Sequence, residues 1–260
     1  MDRSGRVDTA LVPCAGLGTR LLPMTRVVPK ELLPYGGVPL VQHVLEELAE
    51  AGLRRVVLVV RPDKDLVRRH LVEPYPHEDR AHCPTPVPEG LEVRFVEQAR
   101  ADGLVGALQA ARAQLPERFL LVFPDQVLAT QPGAARQLVG ADDGSGSLSA
   151  LVRIPSADLR WFEGARGMRL RGPGPLFGVE GLLGEETSLP CADGEVRAFG
   201  RTILEVRLLD LLGSDPGDAG FGAAFETYLQ SGRHQALLLE GSPADLGTRD
   251  GYRRYAGGAR

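Results

Sequence analysis

Apolar residues in the first half of the chain fall into short continuous runs separated by stretches with a helical period. TALVPC (9–14), RRVVLVVRP (54–62) and RFLLVFPD (118–125) predict strands buried on both faces, and LEVRFVEQ (91–98) alternates as a strand does. In PLVQHVLEELAEAG (39–52), Leu40, Val41, Val44, Leu45 and Leu48 share one helical face, with Pro39 at the start and Gly52 at the stop. LVGALQAARAQL (104–115) has the same character. Strands and helices in this alternation predict an α/β, Rossmann-like fold: a mostly parallel mixed sheet with helices on both faces. The stretch from 62 to 90 reads as a short helix followed by a proline-rich surface loop, and GADDGSGS (140–147) as a flexible turn. From 147 onward SLSALVRI, GMRLRG, VRAFGRTIL and QALLLEG predict further strands, in a half that mixes directions. EVRLLDLL and FGAAFETYLQSG have helical patterns.

Composition narrows the classes. The 260 residues carry a net charge of −4, which gives no overall basic surface for nucleic acid. That length fits one large domain better than two small ones. Cys14, Cys83 and Cys191 are odd in number and widely spaced, as expected of free thiols in a reducing compartment. No apolar run reaches the length of a membrane span and the first residues have no signal-peptide core, so a soluble cytoplasmic protein is expected. Lysine occurs only at positions 30 and 64. His70, His77, His82 and Cys83 match no common zinc spacing, and His43 sits within the first helix pattern as a packing or surface residue. No Ser-His-Asp or Cys-His arrangement is supported.

The strand at 9–14 runs into VPCAGLGTRLLPMTRVVPKELLP (12–34). A glycine-rich loop after a buried strand lets backbone N–H groups approach an anion where no Cβ intervenes. A Walker loop would need Gly-Lys-Ser/Thr, which is absent, and a dinucleotide fingerprint would need a third glycine where Leu21 stands. What remains is a glycine turn carrying Arg20, with Lys30 following in PKELLP.

PCAGLGTRLLPMTRVVPKELLP resembles the signature of the sugar-1-phosphate nucleotidyltransferases, most closely that of the bacterial UTP–glucose-1-phosphate uridylyltransferases and next that of the glucose-1-phosphate thymidylyltransferases. The resemblance implies a nucleotide-binding half (7–130) and a sugar-phosphate-binding half (131–260) of one domain. It implies that Ala15, Gly16, Gly18 and Thr19 cradle the nucleotide, that Arg20 holds the β/γ-phosphates, and that Lys30 meets the α-phosphate. EQARADGLVGAL supplies Gln98 and Gly103 where the family reads its base, and a glutamine amide matches the face of a pyrimidine. Asp125, ending LLVFPD, and Asp245, in PADLGTRDGYRRY, take the places of the family's Mg²⁺ ligands, two carboxylates completed by phosphates and water. The implied partners are a nucleoside triphosphate and a sugar-1-phosphate, which yield an NDP-sugar and pyrophosphate; homo-oligomerisation is left open.

One position departs from the family. Glu180 stands where its sugar-binding glutamate falls, but Gly181 replaces the lysine that follows. Lys64 is the only other lysine and is not near it in sequence, leaving Arg197, Arg201 or Arg207 as substitutes for the charge. Phe162-Glu163-Gly164 echoes the family's Tyr-Gly step. The departure keeps three readings alive: uridylyl transfer to glucose-1-phosphate, the same chemistry on another sugar or cyclitol phosphate or with another NTP, and a non-catalytic nucleotide-binding homologue.

Overall fold

The computed structural model describes residues 6–73, 86–162, 165–183, 190–191, 193–213 and 218–257. Its frame is a ten-stranded sheet whose strand order departs from the order in the chain. β1 (Thr9–Pro13) is followed by a two-stranded ribbon, β2 (Pro34–Tyr35) and β3 (Val38–Pro39), then by α1 (Leu40–Glu50) and β4 (Arg55–Val60). α2 (Asp65–Val72), β5 (Glu92–Glu97), α3 (Gly103–Ala111) and β6 (Arg118–Val122) complete the first half. The strands of this half lie in the order β5-β4-β1-β6, and every pair is parallel. The helix and strand expectations for residues 9–125 therefore hold; residues 74–85 of the expected 62–90 loop, with His77, His82 and Cys83, lie outside the described residues.

A parallel strand buried on both faces alternates its side chains between two cores. In β1, Ala10 and Val12 join one core and Leu11 the other; in β4, Val56, Leu58 and Val60 oppose Val57 and Val59; in β6, Leu120 and Val122 oppose Phe119 and Leu121. α1 closes the first core with Val41, Val44, Leu45 and Leu48, and α3 closes the second with Leu104, Ala107 and Leu108. At about 25 cal/mol per Å² of apolar surface removed from water, these side chains supply most of the driving force for folding.

The second half continues the sheet and reverses its direction. β7 (Gln126–Ala129) leaves the sheet, α4 (Ala134–Ala141) packs beside α1, and β8 (Ser147–Pro155) returns. β9 (Met168–Arg171), β10 (Leu176–Leu182), β11 (Pro190–Cys191) and β12 (Gly194–Glu205) follow, then α5 (Asp218–Ser231), β13 (His234–Leu238), β14 (Ser242–Asp245) and α6 (Arg249–Tyr255). β12 pairs antiparallel with both β6 and β8, β13 runs parallel to β8, and β10 and β9 form the antiparallel far edge. The helix expected over 205–212 is a 3-10 segment, Val206–Leu211, with only Leu208 and Leu209 buried. β7 and β14 were not foreseen. They pair with each other outside the main sheet, Asp245 opposite Gln126. Among the described residues, no helix is long and apolar enough to cross a membrane.

Candidate active site

Four parallel strands end on one edge of the sheet, and each is followed there by residues with chemical potential: the glycine turn after β1, Lys64 after β4, Gln98 after β5 and Asp125 after β6. That carboxyl edge is where open α/β sheets place their ligands. A cleft of about 650 Å³ opens there, lined by Ala15, Gly16, Gly18, Thr19, Arg20, Lys30, Gln98, Gly103, Asp125 and Asp245, together with Gln126 and Gly247.

The glycine turn has a steric origin. Gly18 is left-handed, at φ 67°, and its carbonyl accepts a 2.7 Å hydrogen bond from Thr25 Oγ1. A Cβ at Gly18 would lie 2.9 Å from Thr25 Cγ2, so both the conformation and the space require glycine. Beneath the turn, the fully buried Leu21 packs with Leu33, Leu40, Ala244 and Leu246, which seats the turn against the β7–β14 ribbon.

Asp125 and Asp245 are 120 residues apart in sequence, and the ribbon register brings them together. Gln126 Nε2 donates to Asp245 Oδ2 at 3.0 Å, Gly247 N donates to Asp245 Oδ1 at 2.8 Å, and Leu246 N donates to the Asp125 carbonyl at 2.8 Å. An alanine Cβ at Gly247 would lie 2.8 Å from Asp125 Oδ2, 3.1 Å from Asp245 Oδ1 and 3.3 Å from Arg20 Nη2, so all three charged groups surround one point. Lys30 Nζ donates to Asp125 Oδ2 at 2.7 Å.

Their acidities diverge. Burial pushes Asp245 up to about 6, with the Asp125 charge adding to it. Burial acts on Asp125 in the same direction, but Lys30 outweighs it and holds this carboxyl below the usual range. Burial opposes the Lys30 charge, yet Asp125 and Glu31 together raise its ammonium above the ordinary lysine value. Among the described residues, no group of three or more His, Cys, Asp and Glu side chains is arranged to hold a metal ion. The site offers two buried carboxylates in an open cleft, a donor set that fits a hard divalent cation completed by phosphate oxygens and water.

Gln98 is buried, and its Nε2 donates to the Gly103 carbonyl at 3.0 Å and to Asp102. Gly103 has φ 72°, which favours glycine at the start of α3. Gln126 Oε1 accepts from Gly200 N at 2.6 Å, and Arg201 Nη1 donates to the Phe123 carbonyl at 2.9 Å. Arg201 also forms a two-pronged pair with Glu47, at 2.9 and 2.7 Å, so α1 and β12 both brace the turn that carries Asp125.

The structure does not bring every expected residue here. Glu180 lies on β10 near the far edge of the sheet, exposed, 3.5 Å from Arg171, and does not line the cleft. A sheet register that puts β13 and β8 between β10 and β12 separates it from the carboxyl edge of β6. The three candidate substitutes for the missing lysine have other partners: Arg197 pairs with Glu195, Arg201 with Glu47 and Arg207 with Glu205. Of the Phe-Glu-Gly step, residues 163 and 164 lie outside the described residues. Sequence reasoning missed Glu31 and Lys64. Glu31 is fully buried, and Lys64 Nζ donates to it at 2.9 and 3.1 Å and to the Cys14 carbonyl at 2.8 Å. The available signal was compositional: both lysines of the chain stand at this one site.

The chain is similar to known proteins over nearly its whole length. A UTP–glucose-1-phosphate uridylyltransferase from Haemophilus influenzae is 26% identical over 270 residues, covering 94% of this chain and 90% of that protein. One from Escherichia coli K12 is 27% identical over 273 residues, covering 95% and 88%. A UTP-bound UGPase structure from Acinetobacter baumannii superposes with a TM-score of 0.81 at 21% identity, covering 96% of this chain and 92% of that one. A UDP-glucose pyrophosphorylase structure complexed with UDP-glucose gives the same score. The nucleotidyl transferase family model matches residues 9–156, the span that contains the glycine turn, Lys30, Gln98 and Asp125, and the chain belongs to that family.

Proposed function

We propose that this chain joins a sugar-1-phosphate to a nucleoside triphosphate, giving an NDP-sugar and pyrophosphate, with UTP and glucose-1-phosphate as the first substrates to try. The observation that carries this reading is the convergence of Arg20, Lys30, Asp125 and Asp245 around Gly247 at the foot of the glycine turn. The names of the relatives, uridylyltransferases matched over 94–95% of this chain and 88–90% of their own lengths, support the same choice.

A phosphate monoester loses its second proton at about pH 6, so the attacking oxygen is already ionised at neutral pH. No general base is needed, and among the described residues no histidine lines the cleft. The difficulty is to hold several negative charges together in line, which is work for positioning and neutralisation. The backbone from Ala15 to Thr19 cradles the triphosphate, Arg20 neutralises its outer phosphates, and Lys30 meets the α-phosphate. Asp125 and Asp245 would hold Mg²⁺, which when bound supplies charge neutralisation shared by both reactants. With Gln98 Nε2 engaged inside the protein, Oε1 is left to meet the base; an acceptor suits the N3–H common to uracil and thymine.

The placement of Glu180 and Gly181 favours a second reading at the acceptor end, in which another sugar or cyclitol phosphate replaces glucose-1-phosphate. A pyrophosphate-release screen across NTPs and sugar phosphates, with Mg²⁺, separates these. Turnover with UTP and glucose-1-phosphate supports the first reading and turnover only with another acceptor supports the second. Release with no pair, alongside measurable UTP binding, marks a nucleotide-binding module. Asp125→Ala should abolish release while leaving the circular dichroism spectrum unchanged; retained activity would remove Asp125 from the mechanism.

A further inference from the structure

We propose that Lys64 and Glu31 form a positioning clamp that fixes the glycine turn and Lys30 in one register, an inference that rests on the transferase reading above. Lys64 stands at the start of α2, in the loop that follows β4, and reaches two segments at once. One is the carbonyl of Cys14, the residue that leads β1 into the glycine turn; the other is the carboxylate of Glu31, next to Lys30. The distances are 2.8, 2.9 and 3.1 Å, and the side chains of Lys64 and Glu31 are 11% and 0% exposed. The ammonium is committed to these two partners and does not line the cleft, so Lys64 acts through its neighbours and not on substrate.

The clamp has two physical effects. It ties the end of β1 to the 3-10 turn Lys30–Leu32, so that the amides cradling the triphosphate and the ammonium meeting the α-phosphate move as one body. The Lys30 stem crosses the turn closely enough to confirm the register, with its Cε 3.9 Å from where a Gly16 Cβ would be. It also offsets part of the cost of the Glu31 charge: burial pushes this carboxyl up, and Lys64, then Lys30, pull against that rise. The nearest thiol, Cys14, is fully buried and burial pushes it up, so it contributes no charge of its own.

The test uses Lys64→Met, Glu31→Gln and the double variant, each assayed at 20 °C with the substrate pair found in the screen. The expected result for Lys64→Met is a fall in kcat of about 10- to 100-fold, the usual cost of losing a partner that orients an active-site group, with KM for the NTP within about threefold of wild type. Lys64→Met strands a buried carboxylate, so its melting temperature falls as well. The double variant removes that stranded charge and should recover the melting temperature without recovering kcat. Wild-type kcat in folded Lys64→Met, or recovery of kcat together with melting temperature in the double variant, would overturn the clamp. If Lys64→Met does not fold, the double variant carries the same test. A second measurement needs no turnover: amide hydrogen exchange in peptides covering the glycine turn and residues 30–33 should quicken several-fold in both segments of Lys64→Met, because the contact that ties them is gone. Unchanged exchange in either segment overturns the clamp. If wild type turns over no substrate pair, the proposed function falls while the exchange result still judges the clamp.

Discussion

Replacing Gly247 by alanine tests the site at its tightest point. The new methyl would sit 2.8 Å from Asp125 Oδ2, 3.1 Å from Asp245 Oδ1 and 3.3 Å from Arg20 Nη2. Carbon and oxygen rest farther apart than the first of these distances, so the Asp125 oxygen has to retreat by about half an ångström. It is the same oxygen that Lys30 holds at 2.7 Å, and the retreat therefore carries the ammonium with it. A misplacement of about 1 Å at a reacting centre costs about 100-fold. Half of that, shared by three groups, gives an expected loss of about 10- to 100-fold in kcat/KM, or about 1.4 to 2.7 kcal/mol of barrier. Stability should move little. Gly247 is outside the left-handed region, its N–H bond to Asp245 survives in alanine, and the stiffer unfolded chain contributes about 0.4 to 1 kcal/mol in favour of folding. The assay pairs initial rates of pyrophosphate release with a thermal melt. A Gly247→Ala protein that keeps kcat/KM within about twofold of wild type would refute the idea that the three charges act around one point. A collapse in melting temperature would refute the steric accounting.

Two further predictions concern the frame. His234 is buried between Ser147 and Ser149, whose hydroxyls lie 2.8 and 3.0 Å from its ring nitrogens, and burial pushes it down to about 3. Because the unfolded chain takes up that proton at about 6.5, stability is intact above this value and is lost as pH falls toward 3, by at most about 1.4 kcal/mol per pH unit. His234→Gln should flatten that acid limb in melts taken from pH 7 to 4, and an unchanged slope would contradict the assignment. Arg201→Met strands Glu47 and removes the donor from the Phe123 and Gln126 carbonyls, so unfolding should become easier by about 3 to 5 kcal/mol. Chemical denaturation reads this directly, and a loss below about 1 kcal/mol would mean that the brace is dispensable.

The cleft edge of the sheet was legible because Gly16, Gln98 and Asp125 each follow a strand that the pattern of apolar residues predicts. A run such as RRVVLVV commits β4 to the sheet centre, and parallel neighbours then force the residues after each strand onto one edge. Asp245 was reachable only by resemblance: its strand, SPAD, is four residues long and has no apolar rhythm, and its place depends on pairing with β7. Lys64 follows β4 on the same edge, but nothing local names its partner, and Glu31 carries no local signal. A buried ion pair is a tertiary fact, and in sequence Glu31 reads as any polar residue in a proline-punctuated linker. Glu180 shows the converse failure. Its local context matched a family step, but strand order decides which residues share an edge, and two strands separate β10 from β12.

The β7–β14 ribbon has a consequence for how the protein is made. Every strand of the main sheet precedes β14 in the chain, so a growing polypeptide can assemble the sheet while only one of the two cleft carboxylates is present. The ribbon, and the seat that Ala244 and Leu246 give the glycine turn, can close only after synthesis has passed them. A nascent chain on the ribosome thus holds a finished sheet before it holds a finished cleft.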